Sequence, residues 1–160
     1  MRKAVLLDTS FFLRFLNESD PLFKNAEDYY KYFLGEKYDL VISTISIAEY
    51  CSGGDLSELP LLNLQILPFN LNHAKRTGEF ARVAFQAKKE KAIELKERLL
   101  IPNDTKLFSQ ADSEDSILYY LSSDSESQKV YEVLNSAFKL RFKFLDLNTN
   151  HGHIFGVLDL

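Results

Sequence analysis

Short continuous apolar runs alternate along this chain with longer stretches in which apolar residues recur every three or four positions. Residues 4–7 form the first run, which reads as a strand buried on both faces and ending at Asp8. Thr9 or Ser10 can cap the helix that follows, in which Phe11, Phe12, Phe15 and Leu16 share a face. Pro21 opens a second helix, with Phe23, Ala26, Tyr30, Phe33 and Leu34 on one stripe and Gly35 at its end. Residues 40–42 make a second strand. Ser43 or Thr44 then caps a third helix through Ile45, Ala48 and Glu49, stopped by Gly53 and Gly54.

Residues 64–67 read as a third strand, ended by Pro68. Asn70 or Asn72 starts a long helical stretch through Ala74, Ala81, Ala84 and Phe85. It runs past Lys88 and Lys89 to Leu100, as one helix or as two joined near there, and Pro102 ends it. Asp104 stands where a helix N-cap belongs, before Leu107, Phe108 and Ala111. Residues 117–121 are a fourth strand, with Asp124 just past its end. Residues 127–138 are helical, with Val130, Tyr131, Leu134 and Phe138 on one side, and residues 142–147 are a last strand. Strands alternating with crossover-length helices, without internal repeats, predict a three-layer α/β/α domain built on a parallel sheet. The domain is expected over residues 1–147, with 148–160 as a C-terminal tail.

With 160 residues, 46% apolar and 26% charged, the chain has the composition of one folded domain rather than of a disordered one. No apolar run reaches membrane-spanning length. Asp8 and Arg14 interrupt the apolar opening and no small-residue cleavage site follows, so a soluble cytoplasmic protein without a membrane partner is expected. The single cysteine, Cys51, excludes an internal disulfide and a cysteine-built zinc site, and reads as a buried or semi-buried thiol.

The net charge of −4 argues against a protein that grips long nucleic acid by neutralising phosphates over its whole surface. Residues 74–98, however, carry eight bases and four acids, so this stretch is +4 and the remainder −8. An acidic ligand would be met locally, with Lys88, Lys89 and Lys91 as candidate RNA-phosphate contacts. The same stretch also has Glu90, Glu94 and Arg98 at helical spacing, the pattern of a salt-laced solvated face or of a docking surface.

In open parallel sheets, sites form beyond the carboxyl ends of the strands, near the point where strand order reverses. Asp8 ends the first strand and Asp124 follows the fourth. Asp104 starts the helix leading into the fourth strand, and Glu49 follows the second. Two carboxylates ~5 Å apart repel by roughly 3 kcal/mol at an effective dielectric of ~20. Such a group would therefore retain protons or take up a divalent cation, and an all-oxygen set favours Mg²⁺ or Mn²⁺. One or two such ions can polarise a phosphodiester, activate water and stabilise the leaving oxygen.

The segments LLDTSFFLRFL, ISTISIAEY, PNDTKLFSQA and LYYLSSD together resemble the ordered motifs of PIN-domain ribonucleases, including VapC-type toxins. The resemblance spans residues 4–147. It implies a sheet ordered 3-2-1-4-5, an acidic Mg²⁺/Mn²⁺ pocket and hydrolysis of RNA phosphodiester bonds. Asp8, Glu49, Asp104 and Asp124 match the four family acids in order, as catalytic and metal-holding residues. Ser122 matches the small hydroxyl residue of the Thr/Ser-x-Asp turn, and Glu126 falls where a secondary acid often follows. Lys106, Ser109 and Gln110 depart from the more apolar family pattern, and Asp112 is the substitute for Asp104 as third acid. The resemblance further implies a toxin role, a small antitoxin partner and a homodimer.

Simpler readings stand beside these. Asp8 and Asp104 can serve as plain helix caps, Glu49 as an exposed helical glutamate, and Asp124 as a turn residue among serines. Asp112, Glu114 and Asp115 read as a solvated loop, His73 as a surface residue, and His151 with His153 as part of a flexible tail. The rival function is a non-catalytic PIN-like scaffold that binds RNA or protein. A phosphatase using Asp8 as nucleophile ranks below both, because the second aspartate of that chemistry is missing two residues on. A receiver-like phosphoacceptor ranks equally low, because Pro68-Phe69-Asn70 stands where its aspartate would follow the third strand.

Overall fold

A computed structural model describes residues 2–90 and 100–156. Five strands form one parallel sheet: β1 (Ala4–Leu7), β2 (Asp39–Ser43), β3 (Gln65–Leu67), β4 (Ile117–Ser122) and β5 (Lys143–Asp146), in the order β3-β2-β1-β4-β5. The helices are α1 (Thr9–Phe15), α2 (Phe23–Gly35), α3 (Thr44–Cys51), α4 (Leu71–Lys89), α5 (Leu100–Ser113), α6 (Ser125–Phe138) and α7 (His151–Phe155). Two 3-10 turns, Leu56–Glu58 and Leu61–Asn63, link α3 to β3.

The two-residue period of a strand sends alternate side chains to opposite faces, and both faces are covered, which is why the β1 run is apolar throughout. Val5 and Leu7 enter one core with Phe11, Phe12, Tyr29, Phe33, Ile42 and Leu121. Ala4 and Leu6 enter the other with Val41, Phe80, Phe108, Tyr120 and Leu134. The three-layer architecture and the expected strand order are thus both present.

The most informative departure is α5. Pro102 does not end a helix but lies within α5, near the start of its described residues. Asp104 consequently lies inside this helix. This helix runs antiparallel to α4. His73 Nε2 lies 2.9 Å from Glu114, Arg76 donates to Asp112, and the hydroxyls of Thr77 and Ser109 are 2.7 Å apart.

Several residues expected on the surface are held inside. His73 is fully buried; its Nδ1 accepts the Asn70 amide, so Nε2 carries the proton donated to Glu114. The Arg76 guanidinium lies 4.7 Å from the Phe80 ring and 4.9 Å from that of Phe138, and it donates twice to Asp112 Oδ2. The other Asp112 oxygen accepts the Arg141 amide. Asp112 and Glu114 are therefore structural, while exposed Asp115 pairs with Arg141. Cys51, by contrast, is exposed.

The segment after β5 is not a free tail through residue 156. Asn150 caps α7, the Tyr29 hydroxyl donates to the Thr149 carbonyl at 2.7 Å, and Phe155 stacks on Tyr32 with centroids 4.2 Å apart. His151 is buried against these rings. No described helix is long and apolar enough to cross a membrane.

Because Asp112 neutralises Arg76 and holds a backbone amide, Asp112→Ala is expected to cost about 2–3 kcal/mol, discounting for the part-exposed guanidinium. That corresponds to a fall of about 5–10 °C in melting temperature. A melting curve checks it, and an unchanged temperature would return Asp112 to the pool of functional acids.

Candidate active site

Strand order reverses between β1 and β4, and Asp8 is the first residue past β1. Its amide donates to the Leu121 carbonyl at 3.0 Å, extending the β1–β4 ladder by one bond. Its carboxylate turns back to cap α1, with Oδ1 accepting the Thr9 amide at 2.8 Å. Oδ2 accepts two hydroxyls, Ser10 and Ser122, each at 2.8 Å. Those hydroxyls accept in turn: Ser10 from the Ser123 amide, Ser122 from the Asp124 amide. One hydroxyl layer thus ties the end of β1 to the turn that carries Asp124.

Asp124 caps α6, its Oδ1 accepting the amides of Glu126 and Ser127. The Ser127 side chain points across to α5 and donates to Asp104 Oδ1 at 2.6 Å. Glu49 comes from α3, whose start is fixed by Ser43 at the end of β2. Four acids from four separate elements thus share one electrostatic neighbourhood. Burial pushes the Asp104 carboxyl up to about 8, with further upward pressure from the charges of Asp8, Asp124 and Glu49; the Ser127 bond opposes. Glu49 is pushed up to about 7, first by burial and then by Asp8, with the Lys106 ammonium opposing. Asp8 is also raised, because its burial outweighs the hydrogen bonds from Ser122, Ser10 and Thr9.

Two carboxylate oxygens of these acids, Glu49 Oε1 and Asp104 Oδ2, are buried without a hydrogen-bond partner. An orphaned buried acceptor is costly and calls for a proton, an ion or water. Oxygen donors of this kind fit a hard divalent cation such as Mg²⁺ or Mn²⁺. As the side chains stand, no three His, Cys, Asp or Glu among the described residues are arranged to hold a metal ion. Their hydrogen bonds account for the spread: Asp8, Asp104 and Asp124 each spend an oxygen on a serine hydroxyl or a helix amide.

The PIN domain family model matches residues 5–133, a span that contains all four acids. The chain belongs to the PIN domain family. Solved structures similar to this PIN domain include VapBC2 from Rickettsia felis bound to a DNA fragment from its promoter, at 18% identity and a TM-score of 0.56. That match covers 89% of this chain and 99% of the other. DNA-bound VapBC from Salmonella typhimurium is similar at 15% identity and the same TM-score, over 92% and 99%. No match was found among curated proteins.

Within this PIN domain, the Ser122 hydroxyl donates to the Asp8 carboxylate and accepts the backbone amide of Asp124. Glu126 occupies the first turn of α6 and pairs with Lys129 at 3.0 Å. Asp112 lies eight residues beyond Asp104 on α5, about 12 Å along the helix, and is engaged by Arg76. Lys88 and Lys89 end α4, and Lys91 falls outside the described residues. The Thr77–Ser109 register sets Arg82 level with Asp104, so Lys88 and Lys89 extend about 10 Å further in the same direction.

Sequence reasoning passed over Ser10 and Ser127 as partners of the acids. The serines of an acidic PIN motif look like turn residues, and only the meeting of β1, α5 and α6 gives their hydroxyls a role.

Raised acids make the metal-free fold pH-sensitive, with a definite sign. Between the ordinary carboxylate range and pH ~8, the folded chain holds protons on Glu49 and Asp104 that the unfolded chain has lost, so stability falls as pH rises. The melting temperature in EDTA is expected to drop by roughly 5 °C or more from pH 5.5 to 8.5. Thermal scans in both buffers test this; a rise across that window would contradict the shared burial of these acids.

Proposed function

We propose that this PIN domain is a metal-dependent endoribonuclease that hydrolyses RNA phosphodiester bonds. The observation that carries the reading is the convergence of Asp8, Glu49, Asp104 and Asp124 from separate elements, close enough for Asp104 to respond to the other three charges. These four would hold Mg²⁺ or Mn²⁺, which when bound neutralises charge on a phosphodiester and activates water. The chain's own part is to fix the donors. Asp8 is locked by Thr9, Ser10 and Ser122, and Asp104 is oriented by Ser127. Glu49 and Asp104, protonated in part at neutral pH, exchange protons for cation, so affinity for metal rises with pH.

Lys88 and Lys89, about two turns beyond the acids on α4, suit contacts to phosphates flanking the cut, with Lys91 continuing the basic run. The likeness to VapBC structures supports a toxin kept in check by a small antitoxin; action in the cytoplasm and a homodimer belong to the same proposal. A second reading, a scaffold that binds RNA or protein without cutting, is favoured by one observation: the acids as they stand are spread onto hydrogen bonds rather than drawn to one point.

Cleavage of a mixed RNA pool separates the two. Wild type with Mn²⁺ or Mg²⁺ is expected to cut, with at least a hundredfold loss in EDTA and in Asp8→Asn. Cleavage that survives both conditions would remove the acids from the chemistry, and binding without cleavage under every condition would favour the scaffold. Replacing Lys88 and Lys89 together by Gln is expected to weaken RNA binding and to flatten the log–log salt dependence by about 1.4. An unchanged slope would mean that these lysines touch no phosphate.

A further inference from the structure

Gln110 and Ser43 are both wholly buried, although one lies on a helix and the other at a strand end. The Ser43 hydroxyl accepts the Ile45 amide at 3.0 Å and donates to Gln110 Oε1. Gln110 Nε2 donates to the Leu67 carbonyl at 3.3 Å. Ser43 is the last residue of β2 and the cap of α3, and Leu67 is the last residue of β3. An amide suits this place because it accepts at one atom and donates at the other. Leucine would orphan the Ser43 hydroxyl, and glutamate would set a carboxylate against a carbonyl.

The position of this bond matters for the site. Glu49 lies six residues after Ser43 on α3, and Asp104 six residues before Gln110 on α5. Each acid is therefore about 9 Å along its helix from the same hydrogen-bonded pin. A change of about 10° in the angle between the helices moves one acid relative to the other by about 1.5 Å. Ion–ligand distances are held to about 0.2 Å. Other ties on α5 run elsewhere: Asp104 reaches α6, while Ser109 and Asp112 reach α4.

We propose that Gln110 is a positioning residue that, through Ser43, sets the span between Glu49 and Asp104. The inference rests on the metal-nuclease reading above. It is tested by titrating Mn²⁺ into wild type, Gln110→Leu and Ser43→Ala, reading the melting temperature and, in parallel, RNA cleavage. The Mn²⁺ midpoint is expected to rise at least tenfold in both variants by both readouts, with most of the cleavage rate recovered at saturating Mn²⁺. A lower melting temperature with a wild-type Mn²⁺ midpoint would make the pin merely structural and overturn the proposal. Ser43→Ala keeps the Gln110–Leu67 bond, so it decides the matter alone if Gln110→Leu does not fold. A wild-type protein whose melting temperature ignores Mn²⁺ would overturn the metal reading itself, and with it this inference, whereas a wild-type response with unshifted variants overturns the inference alone.

Discussion

The cost of taking carboxylates out of water at one end of the sheet, sharpened by their mutual repulsion, is the constraint around which the rest of this molecule is arranged. Asp8 sits where the central strand stops, already almost out of water, and three more acids are delivered to the same end by α3, α5 and the turn after β4. Nothing in a hydrophobic core would gather them, and desolvation alone opposes it. The fold absorbs the cost with short polar side chains. Ser10, Ser122 and Ser127 each donate to an acid, and the first two also accept amides from the β4–α6 turn. Asp8 and Asp104 are held by hydroxyl donors and Asp124 by helix amides, while burial favours a proton on Glu49 and Asp104.

The same economy explains α5, the most polar of the buried helices. Thr105, Ser109, Gln110 and Asp112 are buried beside Leu107, Phe108 and Ala111. In a helix packed between two others and a sheet, such residues are tolerated when each finds a partner on a different neighbour. Ser109 and Asp112 do so on α4, and Gln110 does so at the ends of β2 and β3. Polar bonds are directional where apolar contacts are not, so this helix is fixed in rotation and in sliding, and Asp104 with it.

The sheet was legible because its information is local. Four consecutive apolar residues before Asp8, and similar runs before Ser43 and Ser122, identify buried parallel strands, while the strand order came from the family resemblance. Of the four acids, Asp8 and Asp124 stand just past such runs, whereas Glu49 and Asp104 lie within helices and were singled out by the resemblance. What stayed hidden depends on partners far away in sequence. His73 reads as surface until Glu114, 41 residues on, takes its Nε2 proton, and Asp112 reads as loop until Arg76 reaches it. Pro102 reads as a stop because its ring disfavours a helix interior, yet the described part of α5 runs through it. The helix α7 is five residues long, too short for any period to show, and is held by Tyr29 and Tyr32.

The outer strand β5 contributes none of the four acids and lies beyond the stretch that the family model matches, which ends at residue 133. Yet Ser122 is in register with Asp146, and Phe142, Leu145 and Leu147 are buried in the two cores. A fragment cut at the family boundary would turn β4 into an open edge and strip both cores on the side nearest the acids. The matched stretch and the cooperative folding unit therefore differ in length: the chain beyond residue 133 completes both cores and supplies the strand that covers β4, while contributing none of the four acids.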